Sequence, residues 1–178
     1  MTRYNIALLC SDKLHEAAFC NISQELAESA PSTYILGVNS LPHVSVFQFN
    51  AENNQVEDIW NAIKDININF TLSLSEYYCN KSSSTEFYSW IGIGVSINKS
   101  SQLLSLQQEL IETLANVEIR NAHGDNFFPH FTLGFNQGDN NLIKSMKRDN
   151  RLWNKEMPVY LALGKAGKKW QFEKILFQ

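Results

Sequence analysis

Apolar and polar residues alternate along the chain in segments typical of strands and amphipathic helices. Residues 4–10 form an apolar run that predicts a first strand, and residues 13–28 carry apolar side chains at helical spacing after Ser11-Asp12, a plausible helix N-cap. Further strands are predicted at 33–38, 43–49, 67–77, 87–97, 130–135, 157–163 and 170–177, and further helices at 55–65, 100–117 and 140–147. The last two strands are expected to form a hairpin across residues 164–169.

The order of these elements repeats about the middle of the chain. Residues 79–85 (Cys-Asn-Lys-Ser-Ser-Ser-Thr) form the most linker-like segment, and strands and helices follow one another in a similar order on each side of it. A repeat of this length predicts two related half-domains joined near residue 82.

Composition limits the class of protein. The chain has 178 residues, of which 44% are hydrophobic and 19% charged, so collagen-like and disordered classes are excluded. Its apolar runs are far shorter than the roughly 20 residues of a membrane span, and the N-terminus shows no cleavage-site pattern. Three widely spaced cysteines form neither a disulfide framework nor a metal knuckle. We therefore expect a cytoplasmic protein that does not enter a membrane.

Charge is distributed unevenly. Residues 144–178 hold nine Lys and Arg and three Asp and Glu, whereas the remainder of the chain holds six and fifteen. This C-terminal third is compatible with a small anionic ligand or a short single strand of nucleic acid, and equally with ordinary solvated lysines. A protein that wraps a long duplex usually has a broadly basic face, which this chain lacks.

A six-residue pattern occurs twice. Residues 41–46 (Leu-Pro-His-Val-Ser-Val) and 128–133 (Phe-Pro-His-Phe-Thr-Leu) both read apolar, Pro, His, apolar, hydroxyl, apolar, and their histidines are 87 positions apart. Since side chains on a strand alternate between faces, His43 and Ser45 share one face, as do His130 and Thr132. If the half-domains pack with two-fold pseudosymmetry, the two pairs meet in one cleft.

Such a cleft has the groups that cleave a phosphodiester. Imidazoles titrate near neutral pH, so one can act as a base while the other is protonated and acts as an acid. Two hydroxyls can donate hydrogen bonds to the non-bridging phosphate oxygens. The other histidines lack the pattern: His15 is expected on a helix surface and His123 in a turn, with a minor role left open.

The paired H-x-[S/T]-x motifs resemble those of the 2H phosphoesterase superfamily, also called RNA 2′,5′-ligase-like or cyclic phosphodiesterase-like proteins. The resemblance covers nearly the whole chain. It implies an α+β fold: one bilobal, pseudo-two-fold duplicated domain over 1–178, with lobes at about 1–80 and 86–178 and two antiparallel sheets flanked by helices around a central cleft. It also implies that His43 and His130 are catalytic and that Ser45 and Thr132 bind the phosphate.

The chain departs from that pattern in two places. Ser45 stands where Thr is commoner, and a serine lacks the β-branching that restricts its rotamer. Several members carry an arginine where this chain reads Phe87-Tyr88-Ser89-Trp90, so that cationic clamp is missing, and Lys165 is a candidate substitute. Phe47 has the strand parity of His43 and Ser45. It is therefore either a substrate-binding residue that stacks on a base or a core aromatic.

The resulting hypothesis is a metal-independent phosphodiesterase that hydrolyses 2′,3′-cyclic phosphate or 2′,5′-phosphodiester bonds of nucleotides or RNA ends. We expect a monomer with no cofactor and no metal, whose partner is a nucleotide or short RNA. The alternative is a non-catalytic nucleotide-binding module of the same fold. A zinc enzyme is disfavoured because hydroxyls are poor zinc ligands and no HExxH is present, and a serine hydrolase because no G-x-S-x-G elbow is present.

Overall fold

The computed structural model describes residues 1–29, 32, 34–81, 90–137, 150–153 and 155–178. The strands are β1 (Thr2–Cys10), β2 (His43–Ala51), β3 (Thr71–Leu72), β4 (Leu74–Lys81), β5 (Trp90–Ile97), β6 (His130–Gln137), β7 (Met157–Ala166) and β8 (Phe172–Phe177). The helices are α1 (Lys13–Ser29), α2 (Val56–Ile63), α3 (Ser101–Thr113) and α4 (Asn150–Trp153). Of the strand predicted at 33–38, residue 33 lies outside the described residues, and residues 34–38 form only an isolated bridge, between Leu36 and Ser40. The helix predicted at 140–147 lies outside the described residues.

The strands form one eight-stranded sheet whose pairs are all antiparallel. Its order is β3-β7-β1-β2-β6-β5-β4, with β8 added beside β7. The predicted α+β class with antiparallel strands is confirmed. The prediction of two sheets needs one correction, because the two halves are joined through the pair Val44–Phe131 of β2 and β6. This pair is the junction between the two halves of the sheet.

The two motif strands carry equivalent irregularities. In the β1–β2 pair the register shifts by one residue at Val46, and in the β5–β6 pair it shifts at Leu133, the same motif position. A bulged residue loses its place in the ladder. Here each bulge carbonyl accepts a side-chain hydrogen bond from a helix instead: Val46 from Gln107 of α3 at 3.2 Å, and Leu133 from Ser23 of α1 at 2.5 Å. These equivalences agree with the predicted repeat.

The core lies beneath the motif strands, on the face opposite the cleft. Val44 and Phe131 are fully buried, and the Phe131 ring stacks on Phe19 of α1 with ring centroids 4.2 Å apart. Helix α1 packs against β6 and α3 against β2, so each helix supports the motif strand of the other half. The hydrophobic residues of both motifs are thereby anchored, which fixes the direction of the polar side chains between them.

The β7–β8 hairpin breaks the symmetry of the two halves. It was predicted from the sequence, and its first strand pairs with β1, in the half of the sheet that holds the first motif. Its end is tied to the first motif, because Leu41 donates a backbone hydrogen bond to the Phe172 carbonyl at 2.9 Å. The Phe172 ring lies 5.5 Å from the His43 ring, centroid to centroid. Phe172 therefore covers the His43 side of the cleft. Phe128, which holds in the second motif the position that Leu41 holds in the first, is 42% exposed.

Within the described ranges, no helix has the length and apolar character needed to cross a bilayer. That the chain forms a single domain over 1–178 stays a prediction.

Candidate active site

The structure brings the four motif side chains together in one cleft of about 260 Å³. The cleft lies where β2 and β6 meet, and aromatic, polar and amide side chains surround the two histidines. Its lining residues are Tyr34, His43, Ser45, Gln48, Asn121, Ala122, Phe127, Phe128, His130, Thr132, Phe135, Lys169 and Trp170. Lys169 is the one formally charged side chain in this described lining, and it is positive. The site therefore suits an anionic ligand.

The pairing of β2 with β6 sets the arrangement of the four groups. Because Val44 lies opposite Phe131 in an antiparallel pair, Thr132 follows on the His43 side and Ser45 lies on the His130 side. Each histidine thus has a hydroxyl across from it, and the two histidines occupy one diagonal. Diagonal neighbours across a strand pair are about 7–8 Å apart, a spacing that accommodates a phosphate group between the imidazoles.

Both imidazoles are held in the same way by the backbone. His43 Nδ1 lies 2.7 Å from the Leu41 carbonyl oxygen, and His130 Nδ1 lies 2.6 Å from that of Phe128. A carbonyl can only accept, so each Nδ1 carries the proton and donates it, which leaves Nε2 as the proton acceptor of the neutral ring. The proline between carbonyl and histidine has a fixed φ, which restricts this local geometry. The apolar-Pro-His pattern thus places a carbonyl oxygen within hydrogen-bond distance of each histidine Nδ1.

The hydroxyl of Ser45 is oriented by two amides. Asn5 Nδ2 on β1 donates to Ser45 Oγ at 2.7 Å, and Gln48 Nε2 donates to it at 2.9 Å. A hydroxyl has two acceptor lone pairs and one donor hydrogen. With both lone pairs engaged, the Ser45 hydrogen is left to donate into the cleft. The two amides supply the restriction that the missing β-methyl of a threonine would otherwise provide.

Thr132 is held by a different neighbour, Tyr78 of β4. The Tyr78 phenol hydrogen-bonds with the Thr132 side chain, and burial raises the pKa of the phenol, so it stays protonated. Tyr78 reaches Thr132 across β5 at Gly94, where a Cβ atom would stand 2.5 Å from the Tyr78 ring and hydroxyl. Its ring also meets the His130 ring edge-on, with centroids 5.1 Å apart. Gly94 is thus required for this contact.

Burial makes both imidazoles weaker bases than usual. The pKa of His43 falls from 6.5 to about 4, chiefly because burial disfavours the charged ring and secondarily because of the charge of His130, while hydrogen bonds with the Leu41 and Trp170 backbone oppose the shift. The pKa of His130 is also lowered by burial, against the opposing hydrogen bond with Phe128. Both rings are therefore neutral at pH 7 in the free protein. An anion bound between them would raise both pKa values.

Phe47 requires a correction. It is 1% exposed and packs edge-on against Phe49 in the core, with ring centroids 5.9 Å apart, so it does not line the cleft. Phe47 does not share the face of His43 and Ser45, because the bulge at Val46 shifts the alternation of side chains by one residue. Gln48 takes the cleft position instead.

Several contributors were missed by the sequence reasoning. Asn5 lies on β1, which adjoins the first motif strand, whereas Tyr78 lies on β4, which β5 separates from the second motif strand. Trp170 and Lys169 come from the β7–β8 turn. Lys165, proposed as a cationic substitute, is exposed on β7 and does not line the cleft, whereas Lys169 does. In the segment 87–90, where several family members carry an arginine, residues 87–89 lie outside the described residues.

The remaining histidines lie outside the cleft lining. His15 is buried, contrary to the prediction of a surface position, and its Nδ1 lies 2.9 Å from Oδ2 of Asp12, the residue before α1. His123 is exposed, but it does not lie in a turn: its backbone is extended, and it precedes a 3-10 helix at Gly124–Asn126. Among the residues that the structure describes, no group of three or more His, Cys, Asp or Glu is placed to hold a metal ion.

No family model and no curated protein matches the sequence. The fold is similar to that of a solved PDE domain. The crystal structure of the MHV ns2 PDE domain matches over 92% of this chain and 99% of that chain, with a TM-score of 0.45 and 13% sequence identity. At this level of similarity the match assigns neither a family nor an activity to this chain.

Proposed function

We propose that this protein is a phosphodiesterase that hydrolyses 2′,3′-cyclic phosphate or 2′,5′-phosphodiester bonds of nucleotides or RNA ends without a metal ion. One observation carries the proposal: two imidazoles with Nδ1 tied to backbone carbonyls and two hydroxyls held by neighbouring side chains line the same cleft. The resting state has the ordered donors and acceptors that in-line attack at phosphorus needs.

The reaction is a displacement at phosphorus by water. One neutral imidazole accepts a proton at Nε2 from the water as its oxygen bonds to phosphorus, and the other, protonated, imidazole donates a proton from Nε2 to the leaving ribose oxygen as the P–O bond breaks. The product is a phosphate monoester, and one proton has moved from water to the leaving oxygen. Ser45 and Thr132 donate hydrogen bonds to the non-bridging oxygens, whose charge grows in the transition state.

Charge favours this substrate. The described cleft lining contains no Asp or Glu, and Lys169 places a positive charge at its rim. A phosphodiester anion is therefore attracted to the cleft. Its charge also raises the pKa of the imidazoles, so that one ring takes up a proton when substrate binds. Binding thus prepares the acid that the leaving group requires.

The test is hydrolysis of adenosine 2′,3′-cyclic phosphate and of a 2′,5′-linked diadenylate in the presence of EDTA. Wild type is compared with His43→Ala and His130→Ala, and His123→Ala is the matched control, since His123 is exposed and outside the cleft lining. Acid–base catalysis is worth on the order of 10²–10⁴-fold, so each cleft variant should lose at least about 100-fold in kcat/KM and the control should lose nothing.

Other outcomes would reject the proposal. Equal activity in all variants would place the chemistry elsewhere. Complete loss in EDTA, restored by a divalent cation, would make the reaction metal-dependent. Histidine-dependent binding of the nucleotide without any turnover would identify a nucleotide-binding module of this fold.

A further inference from the structure

Trp170 occupies an unusual position in the turn between β7 and β8. Its φ is +60°, the single positive φ at a non-glycine position in the described part of the chain. A bulky residue in this region costs of order 1–3 kcal/mol and persists where its surroundings hold it. The turn is closed by Trp170 N donating to the Gly167 carbonyl at 3.1 Å and Gly167 N donating to the Gln171 carbonyl at 3.0 Å. The backbone thus holds the indole in one place.

Arg3 of β1 supports the ring from one side. Its guanidinium carbon lies 5.6 Å from the Trp170 ring centroid, a cation–π contact. Its Nη1 donates to the Lys168 carbonyl at 2.5 Å. One arginine therefore fastens the turn to β1 and covers one face of the indole, which keeps the ring from turning away.

Trp170 lies in the wall of the cleft beside the first histidine. Trp170 shares the cleft lining with His43 and Ser45, and its backbone acts to raise the pKa of the His43 ring. Phe172, two residues on, packs against the same ring, and its carbonyl binds Leu41 N. The turn is thus fixed to the motif at both ends, so the indole keeps a constant position relative to the phosphate site.

We propose that Trp170, backed by Arg3, is the platform on which the nucleobase of the substrate stacks. This inference rests on the proposed function, which places the substrate phosphate between the two histidines. It adds that the substrate must also carry a nucleobase. Stacking on an aromatic face tolerates any base, because every base has a π-face. The cleft therefore selects base-bearing nucleotides over other phosphodiesters.

The test compares adenosine 2′,3′-cyclic phosphate with the 2′,3′-cyclic phosphate of methyl riboside, which lacks a base. Stacking of one base contributes enough binding for about a 10- to 100-fold preference in kcat/KM in wild type. Trp170→Gly suits the positive φ but has no ring, and its preference should fall to near unity. Trp170→Phe keeps a ring and should retain most of it.

Two further variants isolate the platform. Arg3→Ala, at an exposed position, should reduce the preference partially without a folding defect. Trp60→Phe is the matched control: Trp60 stacks on Phe177 at 5.9 Å, outside the cleft lining, and its replacement should leave the ratio unchanged. The ratio of two substrates is insensitive to a general loss of catalytic geometry, which would slow both alike. An unchanged preference in both Trp170→Gly and Arg3→Ala, or no preference in wild type, overturns the proposal.

Calorimetric binding separates failure of the platform from failure of the proposed activity. Adenosine 2′-monophosphate and ribose 2-phosphate are titrated into wild type and Trp170→Gly, with no turnover required. A base-dependent affinity that disappears in Trp170→Gly supports the platform even if no phosphodiester is hydrolysed. Equal affinities for the two ligands in wild type reject it, whatever the result of the activity assay.

Discussion

Acidification should remove the stability that depends on a neutral, buried His43. The ring is 6% exposed, and its pKa is about 4 in the folded protein against 6.5 for an ordinary histidine. Because the folded pKa is the lower one, the unfolded chain takes up a proton first as pH falls. The contribution is therefore complete above pH 6.5 and is lost progressively as pH falls from 6.5 to 4.

The size of the effect follows from that gap. At roughly 1.4 kcal/mol per pKa unit, the difference between 6.5 and about 4 corresponds to about 3 kcal/mol of unfolding free energy. His43→Gln removes the titration and keeps an amide donor for the Leu41 carbonyl, so it serves as the reference. The lowered pKa of His130 and other titrations are shared by both proteins and largely cancel in the difference.

The assay is urea-induced unfolding of wild type and His43→Gln at intervals from pH 8 to pH 4. The stability of wild type relative to the variant should stay constant above about pH 7 and then fall by about 3 kcal/mol. A difference that stays flat to pH 4 would refute the reasoning, since it would mean that the ring is solvated when charged. A wild type that gains relative stability in acid would require a nearby negative charge that stabilises the imidazolium.

Three further predictions concern the cleft. Gly94→Ala should lower the unfolding free energy by about 1–3 kcal/mol and displace Tyr78, because the added Cβ would lie 2.5 Å from the Tyr78 ring. Gly92→Ala is the control, since its added Cβ would meet its nearest neighbour at 3.4 Å, and it should lower the unfolding free energy clearly less in the same urea titration. Gln48→Ala should reduce kcat/KM about 10-fold by freeing the Ser45 hydroxyl, and adding Ser45→Thr should restore much of it because β-branching restricts the rotamer; no recovery would mean that Gln48 acts in another way. The pH profile of kcat/KM should peak below 6.5, because the free enzyme needs one protonated and one neutral imidazole and both pKa values are lowered; a maximum above pH 7 would contradict the burial argument.

The histidine–hydroxyl pairs were predictable because they depend on local chain geometry. Alternation along a strand placed His43 with Ser45 and His130 with Thr132, and the repeat implied that the two strands are neighbours. The pairing of Val44 with Phe131 confirms that the two motif strands are neighbours. Strand periodicity and the internal repeat were therefore sufficient to predict that the four side chains share one face.

The remaining features depend on contacts that periodicity does not encode. Because of the bulge at Val46, Gln48 lines the cleft in place of Phe47. A bulge of one residue cannot be recognised from the alternation of apolar and polar residues. Asn5 reaches Ser45 from forty positions away, and Tyr78 reaches Thr132 through the gap at Gly94. Such contacts follow from strand order, which composition and local propensity do not determine.

The central claim is that both motifs act on one phosphate in one cleft. The most direct test is an NMR titration of the histidine ring nitrogens with adenosine 2′-monophosphate, with His123 as the internal control. The account predicts that the signals of His43 and His130 move together with one dissociation constant at one equivalent of ligand, that both pKa values rise, and that His123 does not respond. Movement of only one of the two rings, or two separate binding steps, would contradict it.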